Sequence, residues 1–328
     1  MRTLGASEEF GTRVVREEIQ GGDSFGAWAE WILHTNYSND ICHLPNKQFK
    51  PVMIKFGFTY EQIKDDGLLQ DHSKVNTICK WAKEEEKRVP SLTEEQTVLF
   101  LLSCEEDVEY TKNVILAYYR IKRSSPDIFD DRLLDADDVQ SALKMTSICV
   151  LPLNTYNDCV IVLVKFTNAR PWNWSLKNAA KAVFMAIDCA IYEYPPKGLI
   201  ILIDMENFTW THLLKLRPIL LKTIFDYLQE ALPVKLKDIH VLNTVSFITQ
   251  LLNIISPLMN KELLKKIHFH PRGLDWDDFH KTVLPKSALC KDYGGELASI
   301  SECKELTLKK LRRLEEHFEA EQLLRYEA

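Results

Sequence analysis

The chain has 328 residues, 46% of them apolar and 27% charged, with a net charge of −6. That profile excludes a disordered or fibrous protein and leaves room for one or two domains with a substantial core. The acidic balance argues against a general nucleic-acid binder, because neutralising phosphates needs a clustered excess of Lys and Arg that no domain-sized stretch supplies. Eight cysteines (Cys42, Cys79, Cys104, Cys149, Cys159, Cys189, Cys290, Cys303) lie without a C-x-x-C pair, which points to a reducing compartment rather than a disulfide framework. No apolar run near the start has signal-peptide length, and VIVLV at 160–164 and LIILI at 199–203 are strand-sized rather than span-sized. The expected location is cytoplasmic, with transient, peripheral contact at membranes.

Residues 1–52, rich in Gly, Asn and polar residues, are expected to be a weakly ordered extension in which Phe25, Trp28, Trp31 and Ile32 are the main packing candidates. From Thr59 the pattern turns helical through YEQIKDDGLL, SKVNTICKWAKEEEKR, SLTEEQTVLFLLSC and DVEYTKNVILAYYRIKRSS. Pro90-Ser91 followed by Glu94 has capping-box spacing, and Pro126 stops the last segment. These segments predict a helical domain over 53–145. After a linker, VIVLVKF at 160–166 reads as a buried strand, and Ser175 as the cap of a helix SLKNAAKAVFMAIDCAIYEY with Ala179, Val183, Ile187 and Ile191 at helical spacing. Strand, helix, strand, helix and strand then follow: GLIILID, FTWTHLLKLRPILLKTIFDYLQEALP, KLKDIHVLN, SFITQLLNIISPLM and KKIHFH. This alternation predicts an α/β fold with a parallel or mixed sheet built from βαβ units. Trp276, Phe279 and Val283 suggest a short helix, and Asp292-Tyr293-Gly294-Gly295 a tight turn. The tail, 301–328, reads as one amphipathic helix whose stripe of Leu308, Leu311, Leu314 and Phe318 packs on a neighbour in cis or on a protein partner.

The helix expected over 246–259 is unusual. Phe247, Ile248, Leu251, Leu252, Ile255, Leu258 and Met259 leave only Thr249, Gln250, Asn253 and Ser256 polar, whereas a surface helix keeps a full polar face. It is either buried on all sides or divides its time between a cavity and a membrane. Lys235, Lys237, Lys261, Lys265 and Lys266 bracket it in sequence, and a basic rim beside apolar residues is what an anionic lipid surface attracts.

Catalytic and metal motifs are sparse. The chain has no G-x-G-x-x-G, Walker A or G-x-S-x-G motif, so nucleotide chemistry is not expected and no cofactor is implied. His268-x-His270 sets two imidazoles on one face of a strand without a spaced third ligand, which favours a structural role over a metal site. Asp204 and Glu206 end a buried strand, where α/β folds place function. As a general acid or base they would make the chain an enzyme, but with no partner nucleophile a cap and ion pair is the favoured reading.

GLIILIDMENFTW, LPVKLKDIHVLNTVSFITQLLNIISPLM, KKIHFH and DYGGEL occur in one order that resembles the CRAL-TRIO lipid-transfer family of tocopherol and retinaldehyde carriers, over 53–300. TEEQTVLFLLSC through YYRIKRSSPDIF is similar to the helical domain that precedes the lipid pocket in that family. The start at MIKFGFT is similar to the insect branch, which leaves 1–52 as an added segment before Met53. The resemblance implies a CRAL-TRIO-like mixed, mainly parallel sheet with flanking helices enclosing a lipid pocket over 146–300, preceded by a small all-α domain. It also implies a carrier rather than an enzyme, with a small lipophilic ligand of tocopherol, retinoid or carotenoid type behind a mobile gate helix. The positions that match pocket residues are Val183, Ile187, Phe208, Ile224, Leu228, Leu232, Ile239, Ile248, Leu251, Leu252 and Ile255. Val183 and Ile187 replace serines found in the tocopherol-binding branch, so the cavity is expected to be drier. Phe247, Leu258 and Met259 are assigned to the membrane face of the gate. Lys235, Lys237 and Lys266 match the family's anionic-headgroup cluster, a phosphoinositide site, whereas Glu262 and Cys104 stand where that cluster has cations. The rival readings are a phosphoinositide-sensing module that docks a partner on the C-terminal helix and, behind it, an enzyme using Asp204 or Glu206.

Overall fold

The computed structural model describes residues 54–152, 156–168 and 171–327, so the expectations for 1–52 and Met53 lie outside the described residues. Among the described residues six helices come first: α1 (Tyr60–Asp65), α2 (Ser73–Glu84), α3 (Glu94–Ser103), α4 (Val108–Ser124), α5 (Pro126–Phe129) and α6 (Asp137–Met145). Each of α1, α3 and α4 begins where a side chain satisfies an orphan amide: Thr59 Oγ1 accepts from Gln62 N, Thr93 Oγ1 from Gln96 N, and Asp107 Oδ1 from Tyr110 N. The capping box expected at Ser91 and Glu94 instead joins Thr93 and Gln96. Thr93 is the residue held extended (φ −76, ψ 163) with its hydroxyl over the third helical amide.

The linker expected between the helical domain and the strand at 160 contains a strand of its own, β1 (Thr146–Val150). This strand is five residues long and escaped the sequence reading because so short an apolar run carries little periodicity. It pairs antiparallel with β2 (Cys159–Phe166), while β3 (Gly198–Asp204), β4 (Leu236–Leu242) and β5 (Ile267–Phe269) continue the sheet in parallel. The order is β1-β2-β3-β4-β5, mixed and mainly parallel as expected. Parallel neighbours need crossovers. These are α7 (Leu176–Tyr192); α8 (Trp210–Leu213) with α9 (Pro218–Glu230); and α10 (Ile248–Ile255) with α11 (Lys261–Lys265).

The period-two alternation of the strands gives the sheet two apolar faces. Leu199 and Ile201 of β3 join a core that also holds Ile63, Ile78, Leu101 and Ile115 from the first helices. Ile200 and Leu202 face a second core closed by Phe279 of α12 (Trp276–Thr282), by Tyr293, and by Ile300 and Cys303 of α13 (Ile300–Arg313). The tail is two helices rather than one, because the chain turns at Leu314 before α14 (Glu315–Glu327). Leu311, Leu314 and Phe318 are buried in the first core, so the stripe packs in cis and is not the open docking face a protein partner would need. Among the described residues, no helix is long and apolar enough to cross a membrane.

A buried charge cluster anchors α14. Arg132 Nη2 donates to Glu321 Oε2 at 2.6 Å, and Arg132 also pairs with Asp188 of α7. Lys122 of α4 lies 3.4 Å from Asp188 and 3.5 Å from Glu321, and its ammonium donates to Tyr118 OH at 2.6 Å. Arg325 donates to the carbonyls of Lys122 and Phe129. Burial pushes Lys122 down to about 8, against the pull of Asp188 and Glu321. Burial would raise the two carboxyls, but Lys122 and Arg132 hold both below their ordinary values.

Candidate functional site: an apolar groove over the sheet

Six of the seven residues of β3 are buried, and Ile203 is the one that is not. Its register partners on both sides, Val164 of β2 and Val241 of β4, are buried. A central sheet residue is left half-open only when the layer above it is incomplete, since protein interiors otherwise close-pack. Here the covering layer is α7, α9 and α10. Over its thirteen residues α9 buries only Leu221 and Tyr227, and α10 buries only Leu251. Apart from the exposed Pro218 and Ile219, their remaining apolar residues are half-buried, as is Val183 of α7, so the layer above the carboxyl end of β3 is apolar and incompletely closed.

Of the positions matched to pocket residues, Val183, Ile224, Leu228, Ile248, Leu252 and Ile255 are half-buried in this layer. Ile187, Phe208, Leu232, Ile239 and Leu251 are buried in the same core. Sequence reasoning missed Ile203 and Trp210. Ile203 could have been found as the last core-facing residue before the carboxyl end of its strand.

The helix expected over 246–259 is shorter than predicted. Helix α10 stops at Ile255 and a 3-10 turn, Ser256–Leu258, follows, because Pro257 has no amide with which to continue the α-helical ladder. Of the residues assigned to its outer face, Leu258 is half-buried, while Phe247 and Met259 are buried in this conformation. The Phe247 ring packs on Trp210, with centroids 4.6 Å apart. The large apolar residues that are exposed nearby are different ones: Trp172 (76%), Leu214 (55%) and Ile219 (60%). Lys215 Nζ ties two of them together by donating to the carbonyls of Trp172 (2.8 Å) and Trp174 (3.2 Å) from the residue next to Leu214.

The expected headgroup cluster comes together in part. Lys235 and Lys266 line a cleft of about 690 Å³ with Cys104 and Glu262, and Lys237 is not among its lining residues. Glu105, Asp107 and Glu230 line it too, so with Glu262 it carries four carboxylates to two ammonium groups. Lys235 is paired with Glu105, and Lys266 Nζ donates to the Leu236 carbonyl at 2.6 Å. Burial, then the nearby Lys237 and Lys266, lower the pKa of Lys235.

Asp204 is engaged on every side. It accepts from Lys165 Nζ (2.9 Å), Asn243 Nδ2 (2.7 Å), Tyr293 OH (2.8 Å) and its own neighbour's amide, Glu206 N (3.0 Å). Burial favours its neutral form, but the bonds from Asn243, Lys165 and Tyr293 prevail and keep the carboxyl below its usual range. Lys165 also reaches Glu206, at 2.6 Å. This arrangement is an ion pair that joins the ends of β2, β3 and β4 to the DYGG turn. Glycine is required at the last position of that turn, because a Cβ on Gly295 would overlap the Leu289 carbonyl.

His268 and His270 have a third imidazole beside them, from β4. His240 Nδ1 lies 3.2 Å from His270 Nε2, and its ring stacks on His268 with centroids 5.0 Å apart. No group of three or more His, Cys, Asp or Glu among the described residues is placed to hold a metal ion. Burial, then His270 and His268, push His240 down to about 4, opposed by Asp238, which pairs with His268 at 2.9 Å. Burial, then His268, lower His270. From α12 the contact is the apolar ring of Phe279, while Asp277 is bound to Lys286 and His280 lies between the Leu284 and Tyr293 carbonyls. A base with a depressed native pKa stabilises the fold fully above its unfolded value, near 6.5, and loses that stabilisation as pH falls towards 4. Hydrogen exchange at Thr244 and His270, whose amides bridge the two strands, is therefore expected to quicken on going from pH 7 to pH 5, after correction for intrinsic rates. Unchanged protection would show that the imidazoles do not hold this edge.

An open-roofed, mainly parallel sheet behind a set of small helices defines a class, and residues 144–295 match the CRAL/TRIO domain family. The human and Pongo abelii proteins named alpha-tocopherol transfer protein-like are each 25% identical over 207 residues, which is 62% of this chain and 59% of the relative. Rat clavesin-2 is 25% identical over 190 residues, 56% of each chain. The chain thus spans under two thirds of the curated relatives it matches. The crystal structure of Sfh5 superposes with a TM-score of 0.44 at 9% identity, over 74% of this chain and 90% of that one.

Proposed function

We propose that the protein is a carrier that holds a small hydrophobic ligand in the groove beneath α9 and α10 and exchanges it with membranes when α10 moves. The observation that carries this reading is Ile203, open in the middle of a sheet beneath two half-buried apolar helices. A ligand filling that space removes apolar surface from water at about 25 cal/mol per Å². In water, lifting α10 would forfeit its contacts with the core, whereas among acyl chains they are replaced. A membrane therefore favours the open state through differential interaction with the two conformations. The name of the human relative speaks of tocopherol transfer, and Val183 and Ile187 make this groove suited to a ligand of tocopherol, retinoid or carotenoid size with little polar surface.

Trp172, Leu214 and Ile219, with Arg217 exposed among them, supply an apolar surface suited to the first contact with a bilayer. Of the lysines at 235, 237 and 266, Lys237, which lies outside the acidic cleft, is the one suited to add attraction to anionic lipid. A dedicated phosphoinositide sensor is the weaker reading, because carboxylates outnumber ammonium groups in the cleft that would take the headgroup. An enzyme using Asp204 is also disfavoured, because that carboxylate already accepts four hydrogen bonds.

The test is vesicle-to-vesicle transfer of a fluorescent tocopherol, followed by dequenching. The protein is expected to accelerate it, and Leu252→Asp, which places a charge on the half-buried face of α10, is expected to slow it by about tenfold or more. Transfer no faster than the spontaneous rate would refute the carrier, and full transfer by the Leu252→Asp variant would refute the lid.

A further inference from the structure

At the α8 end of the groove, two buried N–H groups have no acceptor among the described residues: Trp174 Nε1 and His212 Nε2. Trp174 is 5% exposed and His212 is fully buried. The tautomer of His212 follows from its other nitrogen. Nδ1 accepts the backbone amide of Thr209 at 3.1 Å, so in the neutral ring the proton resides on Nε2, which is a donor. Burial, then Lys215, lower the pKa of this ring and keep it neutral.

The two donors belong to one aromatic assembly. The Trp174 and His212 rings meet edge to face at 5.3 Å, and His212 stacks on Phe208 at 5.2 Å. Phe208 lies 6.1 Å from Phe247, the residue that begins the lid helix. The rings of Phe166, Phe208 and Phe247 offer no acceptor, and the hydroxyls of Thr209 and Thr211 bond each other at 2.8 Å. Native proteins seldom leave a buried donor unpaired, because the group forgoes water and gains nothing in return. Two such donors side by side, next to a wall of an apolar groove, call for an acceptor that arrives from outside the chain.

We propose that this aromatic end of the groove is a headgroup subsite, in which Trp174 Nε1 and His212 Nε2 donate to a neutral acceptor oxygen, a carbonyl or hydroxyl, on an otherwise apolar ligand. The proposal rests on the carrier reading of the groove and narrows its ligand class. Pure hydrocarbons leave both donors unpaired, so a lipophile carrying an acceptor oxygen is selected over them.

The experiment uses diphenylhexatriene as a fluorescent hydrocarbon bound to the full chain, displaced by octadecan-2-one or by octadecane. Trp174→Phe and His212→Phe are each expected to lower the ketone-to-alkane preference by about tenfold, the scale of one net hydrogen bond lost. In the unmutated protein, the indole N–H resonance of Trp174 is expected to move downfield with the ketone and not with the alkane, a readout that survives even if a variant fails to fold. An unshifted indole proton, or variants with an unaltered preference, would show that ordered water satisfies these donors and would overturn the subsite. If the probe fails to bind, or neither competitor displaces it, the groove itself is refuted, an outcome distinct from equal displacement by both, which refutes only the subsite.

Discussion

Replacing Glu321 by alanine is expected to lower the unfolding free energy by about 3–5 kcal/mol, the cost of stripping one partner from a buried ion cluster. Glu321 accepts from Arg132 and Lys122 and forms an ion pair with Arg325, all fully buried, so its removal leaves three cations facing Asp188 and the more peripheral Asp130. Burial denies these groups the solvent that would compensate, which separates the cluster from surface pairs such as Arg120–Glu230, where the same change is nearly silent. Urea unfolding of the two variants, Glu321→Ala and Glu230→Ala, makes the comparison, and equal midpoints would contradict it. The cluster also sets an acid limit. Asp188 and Glu321 have native pKa values below their unfolded ones, so their contribution is present above the ordinary carboxylate range and is lost as pH falls through the native values.

Ile203→Phe is expected to abolish ligand loading, by about tenfold or more, while leaving stability almost unchanged. If Ile203 lines the proposed groove, the added ring fills that groove and displaces ligand rather than core. Ile201 is two residues earlier on the same face of the same strand but is closed over by the core. Ile201→Phe is therefore expected to cost about 1–3 kcal/mol through overpacking. Thermal unfolding and bound-lipid content measured on both variants decide the matter. If the two substitutions destabilise equally, Ile203 lines no groove.

Most of the sheet was legible because VIVLVKF and GLIILID are nearly continuous apolar runs and KLKDIHVLN carries Leu236, Ile239, Val241 and Leu242 between turn residues, with helices of clear period separating them. What was hidden depends on distance in sequence. Strand β1 is defined by its partner across the sheet, from Thr146↔Phe166 to Val150↔Val162, rather than by its own pattern. The half-exposure of Ile203 depends on how α9 and α10 cover the sheet, which no local spacing encodes. The lysines at 235 and 266 were visible, but Glu105, which neutralises the first of them, lies 130 residues away. His240 joined His268 and His270 only through the β4–β5 register. Conversely, the C-terminal stripe was correctly apolar, and its choice between cis packing and an external partner needed the fold.

The central claim is that the groove holds a lipophile. A mass spectrum of the organic extract of the purified, unmutated protein tests it most directly. The account predicts an intact small lipophile carrying a neutral oxygen, in near-stoichiometric amount and absent from the Ile203→Phe protein. An extract in which the two proteins show the same trace of bulk membrane lipid, with no small species enriched, would contradict it.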